Sequence, residues 1–232
     1  MLYAMPKKIQ LAPSQAKWAI ASTQSVLLLV GLDHLRQHYA THEFTEQLGS
    51  LIKKAKALDI PIVDIYGDDM SQGMQRLGEL LSHYPQLIVA GQITPTLKQL
   101  LPHLYSVSEQ VCLVDDAILL GNQQQHIQWL DGVTQQGFHH LNSYSLKRLW
   151  SLTAPREQIL SPKGILLAIA EQLDVEPLEI DPSEDLSRYG LDSVAMVSLI
   201  GLWRANGAEI RYEDFIAQRS VQGLMQILLK SA

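Results

Sequence analysis

The chain has 232 residues, 47% of them hydrophobic and 18% charged, with a formal net charge of −6. That length suits two small domains and that composition suits packed cores rather than disorder, while the negative charge argues against a general nucleic-acid binder. No apolar run reaches the roughly 18 residues of a membrane span, and Lys7 and Lys8 are not followed by the apolar stretch of a signal peptide. One cysteine, Cys112, leaves no internal disulfide framework and fits a reducing, cytoplasmic setting.

The charge is uneven. From Leu160 to Ala232 there are eleven acidic residues against six basic ones, whereas the remainder holds thirteen against twelve. The acidity belongs to the C-terminal third, which points to two domains with different partners.

In chain order, Ser25 to Val30 reads as a buried strand and Glu43 to Leu58 as a helix. Ile60 to Tyr66 follows as a strand, Met70 to Ser82 as a helix, and Gln86 to Gly91 as a strand. A helix from about Thr96 to Leu104, a strand over Val111 to Val114 and a helix from Gln123 to Gln136 complete the series. Continuous apolar strands alternating with helices predict a doubly wound α/β domain with a parallel sheet, with right-handed crossovers. Residues 1–152 are assigned to it, and residues 153–162, with Pro155 and Pro162, to a linker.

Residues 163–232 are expected to form a small all-α, four-helix domain. Ile165, Leu166, Ile169 and Leu173 share one helical face, and an acidic loop runs from Asp174 to Tyr189. A second helix begins near Ser193, a short third one holds Phe215 and Ile216, and Val221 to Leu229 form the last.

The chemistry-bearing stretch is Tyr189-Gly190-Leu191-Asp192-Ser193-Val194. Gly190 permits a tight turn, Asp192 is placed to cap the following helix, and Ser193 falls in its first turn. A phosphodiester on the Ser193 hydroxyl would face free N–H groups at the positive end of the helix dipole. An Asp-Ser pair alone is commonly only a cap. The helix before it, the acidic loop and the two short helices after it favour a carrier.

This stretch resembles the carrier proteins of nonribosomal peptide synthesis. With Met196, Trp203-Arg204 and Gly207 it is similar to the aryl carrier domains that close bifunctional isochorismatase proteins of siderophore pathways, where the carrier also follows an α/β domain. The resemblance implies 4'-phosphopantetheine attached to Ser193 by a phosphopantetheinyl transferase. It also implies an aryl acid, 2,3-dihydroxybenzoate or salicylate, loaded as a thioester by an aryl-adenylating ligase. A condensation or cyclisation domain of a nonribosomal peptide synthetase would consume that acyl group. Partners are expected to dock on Val194, Met196, Val197, Phe215 and Ile216, some of which must instead be core.

The N-terminal match is partial. Trp18 to Val30 is similar to the family's entry into its first strand, but the catalytic Asp position falls on Gly31. Asp33, two residues on, is either a replacement acid or a cap for the segment at His34. The family's lysine-bearing loop after the second strand has no counterpart, and its His-x-Gly-Cys-like turn reads Gly91 to Thr96 here, with Lys98 near the Cys position. Cys112 lies inside a strand as an inert core thiol. His34 and His38 have a spacing compatible with a metal but lack a third ligand, and the adjacent His139 and His140 should point apart. The expectation is therefore a carrier protein with no catalytic residues and no metal site. An active isochorismate hydrolase, a docking scaffold and a homodimer through the α/β domain remain the alternatives.

Overall fold

Ser25–Val30 has the composition of a strand covered on both sides, and every one of its residues is buried. In the computed structural model it is β1, at the heart of a five-stranded sheet. The structure describes residues 16–32, 43–65, 70–93, 104, 106 and 108–230. The chain divides into two units, Met1–Trp150 and Ser151–Ala232.

In the first unit β1 is followed by α1 (Glu43–Ala57), β2 (Ile62–Ile65), α2 (Met70–Leu81), β3 (Gln86–Gln92) and β4 (Gln110–Leu119). Then come α3 (Gln123–Gln135), β5 (His139–Leu141) and α4 (Ser143–Thr153). The order is β2-β1-β3-β4-β5 with every pairing parallel, the doubly wound arrangement that the alternating pattern predicts. Val26, Leu28 and Val30 share a buried cluster with Leu77 of α2 and Leu130 of α3. The intervening Leu27 and Leu29 point to the opposite face and are equally buried. The helix expected near 96–104 lies largely outside the described residues.

Two elements go beyond the expectation. β5 is three half-buried residues long, and α4 is preceded by Asn142, whose side chain accepts a hydrogen bond from Ser145 N (2.8 Å). β4 also extends past Val114. Val89 pairs with Leu113 and Gly91 with Ile118, so β4 bulges outward around Asp115 and Asp116.

The second unit begins before the expected boundary. A short helix α5 (Arg156–Ile159) buries Ile159 and Leu160, in place of the expected linker at 153–162. Pro155 is its N-cap and Pro162 is the first residue of α6 (Pro162–Leu173), positions where proline's missing N–H costs nothing. The acidic loop follows with 3-10 turns at Pro177–Glu179 and Leu186–Tyr189, then α7 (Ser193–Ala205), α8 (Tyr212–Ala217) and α9 (Val221–Leu228). Ile165, Leu186, Trp203, Phe215 and Leu224 fill its core.

Candidate functional site

The loop that delivers Ser193 is held at several points. Leu186 is fully buried and its N–H donates to Arg219 O (2.8 Å), while Gln222 N donates to Pro182 O (2.9 Å). Asp181 N donates to the Tyr189 hydroxyl (2.9 Å). Asp185 accepts from Ser187 N (2.8 Å), and this bond first, then the cations Arg219 and Arg188, hold its carboxyl below the usual range. Gly190 then turns the chain at φ 91°. No atom lies within 4 Å of where its Cβ would stand, so the left-handed backbone, not crowding, demands glycine.

Asp192 is the N-cap of α7, its Oδ1 accepting from Ala195 N at 2.7 Å. Buried Leu191 anchors the turn below while Asp192, Ser193 and Val194 are exposed above. Ser193 is the first residue of a 13-residue helix. Among the described residues the N–H groups of Ser193 and Val194 have no acceptor, so both are available to an anion on the Ser193 hydroxyl. An exposed hydroxyl at a capped helix start, with open space over Gly190, fits a phosphodiester-linked arm.

The structure divides the five residues expected to form the docking surface. Val194 (73% exposed), Val197 (60%) and Ile216 (41%) face solvent. Met196 and Phe215 do not: Met196 is buried on the inner face of α7, and Phe215 is fully buried against Trp203, with ring centroids 5.8 Å apart. α7 is apolar almost all round, which is why its sequence did not separate the two sets. Tyr212 at the start of α8 joins the exposed set and was missed, since one tyrosine has no period to read.

In the α/β unit Gly31 follows β1 with φ 64°. A Cβ there would stand 2.6 Å from Gln92 O and 3.2 Å from Gln92 Cβ, so the ends of β1 and β3 meet main chain to main chain. This is the point where the strand order reverses, the usual ligand crevice of such sheets. Cys112 is fully buried, and that burial pushes its thiol far up. His139 and His140 do point apart: His139 packs edge-on against Trp18, and His140 Nδ1 lies 3.6 Å from Asp115 Oδ2. Asp33, His34, His38, Thr94 to Thr96 and Lys98 lie outside the described residues. Among the described residues no three ligating side chains cluster as a metal site would require, and no helix is long and apolar enough to cross a membrane.

Residues 163–228 match the family described as "Phosphopantetheine attachment site". The chain is 36% identical over 63 residues to phenyloxazoline synthase MbtB of Mycobacterium sp. (strain MCS), covering 27% of this chain and 5% of that one. It is 30% identical over 78 residues to isochorismatase of Bacillus subtilis (strain 168), covering 34% of this chain and 25% of that one. Among solved structures, YcaC from Pseudomonas aeruginosa aligns over 71% of this chain and 95% of its own, with a TM-score of 0.47 and 18% identity. The chain thus spans 5% and 25% of the lengths of these two curated relatives. The C-terminal unit is a carrier-protein domain, of the kind that bears 4'-phosphopantetheine covalently on a serine. With the five-stranded parallel α/β unit before it, the chain pairs an α/β domain with a carrier domain.

Proposed function

We propose that the chain is an aryl carrier protein of siderophore assembly, with Ser193 as the attachment serine. The observation that carries this reading is the exposed Ser193 hydroxyl at the Asp192-capped start of α7, inside the matched carrier domain. When attached, the arm supplies a thiol on which an acyl group is held as a thioester. Ser193 anchors it, the free N–H groups of the first turn hold its phosphate, and the loop bonds keep that turn rigid. A tether of this kind raises the effective concentration of the acyl group at each partner.

The partners are a phosphopantetheinyl transferase, an aryl-adenylating ligase and a condensation or cyclisation domain. Val194 and Val197 on α7, with Tyr212 and Ile216 on α8, offer them exposed apolar side chains. A relative named for a phenyloxazoline product supports an aryl acid, 2,3-dihydroxybenzoate or salicylate, as the cargo. The setting is cytoplasmic. The α/β unit does not hydrolyse isochorismate: Gly31 stands where the resembling family has its acid, and the backbone around it leaves no room for one.

The test is intact-mass analysis of the apo chain incubated with coenzyme A and a transferase, then with the ligase, ATP and a panel of acids. One adduct on the wild type, none on Ser193→Ala, and loading of an aryl acid over amino acids are expected. An adduct that survives Ser193→Ala would overturn the site, and loading of an aliphatic amino acid instead would overturn the cargo.

A further inference from the structure

Among the described residues Leu178, at 99% exposure, is the most exposed large hydrophobic side chain, and it packs on nothing. It stands at the tip of the 3-10 turn Pro177–Glu179. Ile180 (4% exposed) anchors that turn in the core, and a capping box closes it, with Glu176 N donating to Glu179 Oε2 at 2.9 Å. The turn is tied to the attachment loop by the bond from Asp181 N to Tyr189, four residues before Ser193. Leu178 and Asp181 are three residues apart, so their Cα atoms are within about 11 Å. A specific enzyme footprint of about 800 Å² has a radius of about 16 Å, wide enough to extend from Ser193 over Tyr189, the residue that the Asp181 bond ties to this turn.

The sequence around Leu178 has one sign of charge, with Arg188 and Arg219 acting on its last member, Asp185. Glu171, Asp174, Glu176, Glu179, Asp181, Glu184 and Asp185 fall in 15 residues that contain no Lys or Arg. The nearest following cation in sequence, Arg188, is paired with Glu184 at 2.7 Å. Asp181 is held ionised by hydrogen bonds from Ser183. By contrast, α7 carries no acidic residue at all. An apolar knob collared by carboxylates complements an apolar socket rimmed by cations.

We infer that the Leu178 turn is a second docking element, which seats in a Lys/Arg-rimmed apolar socket of the phosphopantetheinyl transferase. The inference rests on Ser193 being the attachment site. In the transfer Ser193 Oγ forms an O–P bond to the phosphorus that carries the pantetheine. The P–O bond to the nucleotide breaks, adenosine 3',5'-bisphosphate leaves, and the hydroxyl proton passes to a base of the transferase. An enzyme that cradles the pyrophosphate and 3'-phosphate of coenzyme A is rich in cations around its reacting centre. Such an enzyme therefore brings the complementary charge to the turn beside Ser193, and charge of this kind acts mainly through encounter.

The test is the steady-state rate of arm transfer to the full-length apo chain, read by intact mass at 20 to 300 mM NaCl. Leu178→Ser should raise KM about five- to tenfold, the loss of roughly one rim-buried apolar side chain, with kcat changed less than about twofold. Glu176→Gln with Glu179→Gln keeps the capping acceptor, so the fold stays, and should flatten the fall of kcat/KM with salt. Unchanged KM in the first variant together with unchanged salt dependence in the second would overturn the inference. So would normal arm transfer to Leu178→Ser with slowed aryl loading, which would give the turn to the ligase. No adduct on wild type would instead fail the Ser193 reading, and this inference with it.

Discussion

Trp203 of α7 and Phe215 of α8 lie ring against ring, 22° from parallel with centroids 5.8 Å apart, and both side chains are fully buried. This contact pins the short α8 to the helix that carries Ser193. It fixes which side of α8 faces out, placing Tyr212 and Ile216 towards solvent.

Phe215→Ala should therefore cost about 3–5 kcal/mol of stability, as loss of a buried aromatic does. Ile216→Ala, one residue on, should stay within about 0.5 kcal/mol, because its side chain is largely exposed. Urea unfolding of the two variants measures the contrast, and equal losses would contradict it.

Gly31→Asp tests the closed end of the sheet. A side chain at φ 64° whose Cβ meets Gln92 O should cost about 1–3 kcal/mol in backbone strain alone. Placing an acid at this position should yield no pyruvate from isochorismate in a lactate-dehydrogenase-coupled assay. A folded Gly31→Asp protein with turnover would show that the crevice opens after all.

Acid should loosen the α/β unit. His126 is fully buried, its Nε2 2.9 Å from Asp115 O, and burial lowers its pKa below 6.5. Burial first, then His140, lowers His139 in the same direction. The unfolded chain then binds protons more readily, so this stability is present above about pH 6.5 and is lost as pH falls through the folded pKa values. Asp116, accepting from Ser143 N and Oγ at 2.7 and 2.8 Å, has the opposite sign, because burial outweighs those bonds and raises its pKa from 3.8. Its contribution is held at low pH and lost as pH rises through that raised value. Calorimetry of the full chain should show a transition, absent from the 151–232 fragment, that moves down between pH 7.5 and 5.5. His126→Gln should shrink that movement, and an undiminished shift would exclude His126 as a cause.

A fragment starting at Ser151 should melt higher than one starting at Leu160. The longer fragment keeps Ile159, whose burial contributes about 1.5–3 kcal/mol, and the α5–α6 corner. A Cβ on Gly164 would stand 2.0 Å from Gln158 O, so the two helices approach there as only glycine allows. Circular dichroism melts decide it, and identical midpoints would mean that α5 contributes nothing.

The apolar runs Val26 to Val30, Leu87 to Ala90 and Val111 to Val114 are legible because buried parallel strands have little choice of composition. β5 was not legible, since His139-His140-Leu141 is too short for a period and too polar for a core strand. Residues 153–162 read as a linker because Pro155 and Pro162 resemble breaks, while in the structure both stand at helix starts. The helix start at Ser193 was visible because glycine, a capping acid and a first-turn serine each have a local physical reason. The exposed and buried halves of α7 were not, because that division depends on where Trp203 and Phe215 meet.

The sheet described here ends on strands of four and three residues, β2 and β5. Short rims offer few open N–H and C=O groups on which a neighbouring chain could continue the ladder. Among the described residues neither rim is long enough to template a second sheet, which disfavours fibril-like stacking of this unit in crowded solution. If copies of it pair, their meeting ground is the outer faces of the helices, and mutations that matter for pairing will fall there and leave the strands untouched.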